Sequence, residues 1–235
     1  MAAGTKIIVG VSCVLLAVGA GWGATVFGRK AVEGVVHDYI LEHPEILPQA
    51  MENLQNRENA KQLADVSSAV EAPFPGAVLG NPDGKVTLVE FSDFACGYCR
   101  KSLGDVEALI ARNPDLRIVV RELPIISEHS PEASRWGLAA AQQGKFAQFH
   151  KAMFEAGQID PQTIQATARS IGLDMAKAAA DAKSPAVEAE LQRNFAIASR
   201  LGFTGTPSWV AGERLIQGAV GFDQLAEAVE SARKR

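Results

Sequence analysis

Residues 85–123 read KVTLVEFSDFACGYCRKSLGDVEALIARNPDLRIVVREL, and two kinds of periodicity meet at the cysteine pair inside this stretch. Residues 85–94 alternate and then run apolar, as a buried strand does, and residues 116–123 form a second β-rich run. Between them Leu103, Val106, Leu109 and Ile110 fall on one helical face, and Pro114 lies just beyond the helix end. Strand, helix, strand in this order predicts a parallel βαβ unit with a right-handed crossover. Cys96, Gly97, Tyr98 and Cys99 then occupy the turn from the first strand into the helix.

That position indicates what the cysteines do. A helix N-terminus presents unpaired backbone N–H groups and the positive end of the helix dipole, which stabilise a thiolate at Cys96 and make it the nucleophile. Cys99, three residues on and nearly one turn round, can reach it to close a small ring and is the resolving thiol. Gly97 and Tyr98 set the local geometry and so tune the redox potential, while Arg100 and Lys101 either add positive charge or are solvated. Structural zinc needs four ligands; there is no second cysteine pair, and His129 and His150 lack metal spacing. A purely structural disulfide across two residues would restrict the unfolded chain little. A redox-active pair, with no metal and no cofactor, is the expectation.

Composition sets the frame around this unit. The 235 residues, 47% hydrophobic and 21% charged, suffice for one ordinary core with at most a small second module. A formal net charge of -4 offers no broad basic surface, which argues against a nucleic-acid partner.

The N-terminus places the chain at a membrane. Between Lys6 and Arg29 runs IIVGVSCVLLAVGAGWGATVFG, uncharged and about the roughly 20 residues a spanning helix needs. It is either a retained signal anchor, with Cys13 as a small hydrophobe inside it, or a signal peptide cleaved after Ala20. Both readings put the chain beyond residue 30 in an oxidising compartment, periplasmic or otherwise extracytoplasmic, where disulfides persist.

Residues 31–72 then read as a helical arm. Val32, Val35, Val36, Tyr39 and Ile40 keep helical spacing, as do Leu47, Met51 and Leu54, and Pro44 opens a second helix. APFPG, residues 72–76, breaks the helix before the main domain, taken as 73–235. So short an arm cannot bury its own apolar stripe, which packs either on the main domain or on the arm of another copy. His37 and His43, six apart, read as solvated.

VEFSDFACGYC (residues 89–99), RELPII (121–126) and GFTGTPSWVAGERLIQGAVG (202–221) in this order resemble the DsbA-like branch of the thioredoxin superfamily over residues 77–233. The resemblance implies an α/β thioredoxin-like fold with a helical insertion at about 130–201, where amphipathic helices carry Trp136, Phe146, Phe149, Met153 and Phe154 into the core. It implies a cis bond at Thr206-Pro207 beside the cysteines, and for Glu90, six residues before Cys96, a role in deprotonating Cys99. Gly212 and Glu213 turn a closing hairpin before the last helix. The implied activity is thiol-disulfide exchange with cysteine-containing secreted proteins, oxidising or isomerising them, served by a membrane redox partner. The arm sequence VHDYILEHPEILPQAMENLQ (residues 36–55) resembles the N-terminal extension of ScsC-type suppressor-of-copper-sensitivity proteins. That resemblance implies a homo-oligomer joined through the arm, and an alternative function in copper binding or tolerance through the same thiols.

Overall fold

A computed structural model describes residues 32–64 and 66–234. The segment 1–30, anchor or signal peptide by sequence, lies outside them, and no helix among the described residues is long and apolar enough to cross a membrane. The chain divides into two compact units, Met1–Leu54 and Gln55–Arg235.

In the first unit α1 covers the described residues 32–42, and α2, Ile46–Ala64, starts two residues after Pro44 and runs on past the unit boundary. The residues that carry the helical periodicity, among them Val35, Tyr39, Leu47, Met51 and Leu54, are exposed. His37 and His43 are also exposed, against Asp38 at 3.2 Å and Glu45 at 3.3 Å.

The second unit is built on a five-stranded sheet in the order β1-β3-β2-β4-β5. Its strands are β1 (Val78–Gly80), β2 (Val86–Ser92), β3 (Leu116–Glu122), β4 (Ser208–Ala211) and β5 (Arg214–Gln217). β2 and β3 are parallel, joined by α4 (Gly97–Arg112), while β1 and β4 flank them antiparallel. β4 and β5 form the expected hairpin, with Gly212 at φ 58°, a left-handed turn position that favours glycine. The short β1, absent from the sequence reading, has too few residues to show a period of two.

Successive residues of β2 and β3 face opposite sides of the sheet. Leu88, Ile118 and Val120 pack with Val106 and Leu109 of α4 and with Leu225 and Val229 of α10 (Phe222–Arg233). On the other side Val89, Phe91, Val119 and Leu123 pack with Ile197 and Leu201 of α9 (Pro185–Arg200) and with Leu63, Val66 and Val70. These last three fall in the arm by sequence, yet they are buried, as α2 ends and α3 (Ser67–Glu71) begins. The compact unit runs from Gln55, and Leu63, Val66 and Val70, too sparse to form a core of their own, complete one face of its sheet.

Arg121 fastens this junction. Buried on the same face, its guanidinium donates to the carbonyls of Ala69, Val70 and Ala72 at the end of α3, to Glu190 at 3.0 Å and to Asn194 at 2.6 Å. It thereby supplies donors to carbonyls that a helix end leaves unpaired.

The insertion consists of α5 (Ser130–Ala141), α6 (Phe146–Ala156), α7 (Pro161–Ser170), α8 (Met175–Asp181) and α9. Asp160, Asp174 and Ser184 cap α7, α8 and α9 with their side chains, and prolines open α7 and α9, where a missing N–H leaves no bond unmade. Trp136, Phe149, Met153 and Phe154 are buried here with Phe94 and the two cysteines, and Phe146 joins the sheet core.

Candidate active site

The site forms where β2 ends and α4 begins. Cys96 is the N-cap of α4: its backbone N–H donates to Asp93 O at 2.9 Å, and its sulfur accepts from the Cys99 N–H at 3.5 Å. Asp93 is fully buried and accepts from the N–H groups of Ala95, Ile125 and Ile126 at 2.7–2.8 Å. One carboxylate thus ties the cysteine turn to the loop after β3, a role the sequence reading did not assign. The only hint was an acidic residue closing an apolar strand.

Across the turn, Cys96 Sγ lies 3.1 Å from the carbonyl oxygen of Thr206, to which the thiol donates. The Thr206-Pro207 bond is cis, as the resemblance implied, and Pro207 O accepts from the Gly218 N–H at 2.8 Å. Thr206 is buried, and its hydroxyl makes no hydrogen bond to the protein. Residues 110 positions apart in the chain therefore meet at one sulfur.

The two cysteines are reduced and differ in character. The Cys96 thiol is pulled down to about 5, first by a hydrogen bond from the Cys99 side chain, against burial, and further by the N–H groups of Cys99 and Tyr98. Burial pushes the Cys99 thiol well above its ordinary value, and its bond to Cys96 and the charge of Glu90 add to this. One sulfur is thus biased toward its thiolate and the other toward keeping its proton.

Glu90 lies under the pair, on the side of β2 that faces α4. It is 2% exposed, its Oε2 has no protein partner, and burial pushes it up to about 8, opposed by Ser92 and assisted by the charge of Cys96. Gly97 has open space where a side chain would stand, and Tyr98 is exposed, so neither is required by packing. The Arg100 guanidinium turns to Gly157 O at 3.3 Å, lining a cleft of about 290 Å³ beside Cys96 together with Phe94, Ser127 and Phe154. His150 is sealed among Phe94, Phe146 and Phe154, and burial lowers it to about 4, so it is neutral. Among the described residues no three His, Cys, Asp or Glu side chains converge to hold a metal.

Ser92 and Glu122, buried beside Glu90, were also missed. The available signal was that each closes the apolar face of its strand with a polar residue.

Comparison with known proteins matches residues 87–230 to the DSBA-like thioredoxin domain and residues 29–61 to the copper resistance protein ScsC N-terminal domain. Among solved structures, the chain is similar to a thioredoxin-like oxidoreductase from Silicibacter pomeroyi DSS-3, with 43% identity, 67% of this chain and 92% of that one covered, and a TM-score of 0.65. It is similar to a linker-deletion mutant of Proteus mirabilis ScsC, with 27% identity, 88% and 95% covered, and a TM-score of 0.67. It also resembles the thiol-disulfide exchange protein alpha-DsbA2 from Wolbachia pipientis, with 25% identity, 77% and 97% covered, and a TM-score of 0.67. Among curated proteins, a Na(+)/H(+) antiporter NhaA from Herminiimonas arsenicoxydans is 30% identical over 232 residues, which is 96% of this chain but 37% of that protein. The chain thus spans little more than a third of that relative, and ion transport is not attributed to it.

Proposed function

The chain belongs to the DsbA-like thioredoxin family of thiol-disulfide oxidoreductases, and from that premise we propose that it acts outside the cytoplasm on cysteines of secreted proteins, through Cys96 and Cys99. The observation that carries this reading is the placement of Cys96 at the N-cap of α4, with its sulfur 3.5 Å from the Cys99 N–H and 3.1 Å from the carbonyl oxygen that precedes the cis Pro207, an arrangement that lowers one thiol while burial raises the other. A substrate thiolate attacks Cys96 of the disulfide form, Cys99 leaves, and a mixed disulfide results; a second substrate thiolate attacks that bond and departs as the disulfide, leaving Cys96 and Cys99 reduced. In isomerisation the reduced Cys96 attacks a wrong substrate disulfide, and Cys99 or a substrate thiol releases it. Thr206, with its carbonyl 3.1 Å from Cys96 Sγ, and Pro207 form the surface against which the substrate chain lies. Glu90 exchanges the proton of Cys99. Reoxidation or reduction by a membrane redox partner completes the cycle.

The arm is the proposed means of self-association. Its exposed apolar stripe and the match of residues 29–61 to an ScsC N-terminal domain support an oligomer that presents several cysteine pairs to one substrate, which suits isomerisation. The test is reactivation of a scrambled-disulfide substrate by the reduced chain from Ala31, beside a chain from Gln55. Arm-dependent reactivation supports an oligomeric isomerase. No reactivation, with fast oxidation of reduced substrate by the oxidised chain, supports an oxidant; neither activity at any redox poise would sink the oxidoreductase reading.

The same arm match favours a second reading, copper capture, since soft thiolates suit Cu(I). Stoichiometric Cu(I) binding that is lost in the Cys96→Ser/Cys99→Ser variant would support it.

A further inference from the structure

The buried polar atoms without a protein partner are not scattered. Among the described residues they include Thr206 Oγ1 and Glu90 Oε2, whose residues adjoin the cysteines, Ser92 Oγ and Glu122 Oε1, whose residues adjoin Glu90, His150 Nε2 among the phenylalanines of the insertion, and Arg117 Nε. Each such atom costs about 1–3 kcal/mol, so a concentration of them beneath one site calls for a role.

The cluster has a simple origin in the strands. The side of the sheet facing α4 is apolar through Leu88, Ile118 and Val120, then turns polar at Glu90, Ser92 and Glu122 where both strands end. Ser92 is the register partner of Glu122, so the two side chains leave parallel strands about 4.8 Å apart and on the same side, with Glu90 two residues back. From α5, Ser134 donates to Glu122 Oε2 at 3.0 Å. Gly137 of the same helix closes this corner tightly: a Cβ there would lie 3.2 Å from the Phe94 ring and 3.5 Å from Glu122 Oε1.

We propose that Glu90, Ser92 and Glu122 form a proton reservoir under Cys99, bridged by internal water, in which two carboxyl groups rather than one hold the proton exchanged in each catalytic cycle. This rests on the oxidoreductase reading above. When a substrate thiolate breaks the Cys96–Cys99 bond, Cys99 leaves as a thiolate and takes a proton from the Glu90 carboxyl, which regains one from Glu122 through Ser92. In the reverse direction Cys99 returns a proton to the carboxylates and its thiolate attacks Cys96 of the mixed disulfide, releasing the substrate thiolate.

The surroundings keep both acids able to do this. Burial is the main cause that raises each, Glu122 well above the usual range, and the charges of Asp93 and Glu90 raise Glu122 further while Ser134 opposes them. From α4 the thiol of Cys99 feels Glu90, and from α6 His150 is neutral. Arg121, next in sequence, spends its guanidinium on the other face with Glu190 and Asn194, and the Asn194 amide reaches only the main-chain oxygen of Glu122.

Glu122 is thus a positioning residue, and its test is the pH profile of the Cys99 step. A mixed disulfide is formed on Cys96 and its release is followed in single turnover for the wild type, Glu122→Gln and Glu122→Asp. Glu122→Gln should slow release about tenfold at neutral pH and move the midpoint of the profile, with the Cys96 thiolate titration unchanged. Glu122→Asp, which keeps a carboxyl group, should recover most of the rate. An unchanged profile in Glu122→Gln would overturn the proposal, as would equal loss of rate and melting temperature in both variants, which makes Glu122 a packing residue. A wild-type chain that forms no mixed disulfide at any pH would overturn the oxidoreductase reading itself, a result separate from either.

Discussion

The backbone N–H of Cys99 points at the sulfur of Cys96, 3.5 Å away, and so stabilises negative charge on that sulfur. Helix geometry does this at no extra cost: an N-cap sulfur faces the free N–H groups of the first turn.

Alkylation of Cys96 should therefore follow a thiolate titrating near pH 5. Cys96→Ser should abolish exchange, and Cys99→Ser should accumulate mixed disulfides with substrate. Equal full activity in both serine variants would refute the assigned roles. For stability, a lowered thiol works in one direction: the contribution is fully present above the unfolded value of about 9 and is lost as pH falls through about 5. The reduced wild type should thus gain on Cys96→Ser between those limits as pH rises, read as melting temperatures.

Glu90 has the opposite sign. Its carboxyl is raised from 4.5 to about 8, so the native state retains a proton that the unfolded chain has lost, and stability falls as pH rises from 4.5 to 8. Glu90→Gln should melt higher than the wild type at pH 8, roughly 2–4 °C for each kcal/mol relieved. At pH 4 the two should melt alike. The same variant should slow the Cys99 step, separating the cost of the acid from its use.

Arg121→Ala should be among the most damaging changes outside the cysteine pair. It leaves the buried Glu190 carboxylate with only the exposed Arg193, 2.7 Å from its other oxygen, and frees the carbonyls that end α3, for a loss of about 3–5 kcal/mol in denaturant melts. Arg121→Met paired with Glu190→Leu should lose less than Arg121→Ala alone, because no buried charge remains unpaired.

Truncation distinguishes arm from core. A chain starting at Gln55 should keep the melting temperature of one starting at Ala31 and lose self-association, measured by light scattering. A chain starting at residue 73 discards Leu63, Val66 and Val70, whose burial contributes roughly 1.5–3 kcal/mol each, and should melt well below both. Met51→Asp, on the exposed stripe, should weaken self-association without lowering the melting temperature of the Gln55–Arg235 unit.

Much of this protein was legible from its sequence. The βαβ unit around Cys96 and Cys99, the closing hairpin at Gly212 and the aromatic core of the insertion follow from local periodicity and turn chemistry, which the chain carries in short windows. Cys96 could be placed at a helix N-terminus from sequence, a position that lowers a thiol's affinity for protons. The tertiary structure decided what depends on residues far apart in the chain. Thr206 meets Cys96, Arg121 gathers Glu190, Asn194 and the end of α3, and Leu63, Val66 and Val70 belong to the core. Ser92 and Glu122 become neighbours only through the register of two strands. Burial, which raises Glu90, Glu122 and Cys99 together, is a property of the packed molecule, because the water it removes is displaced by segments that no local window contains.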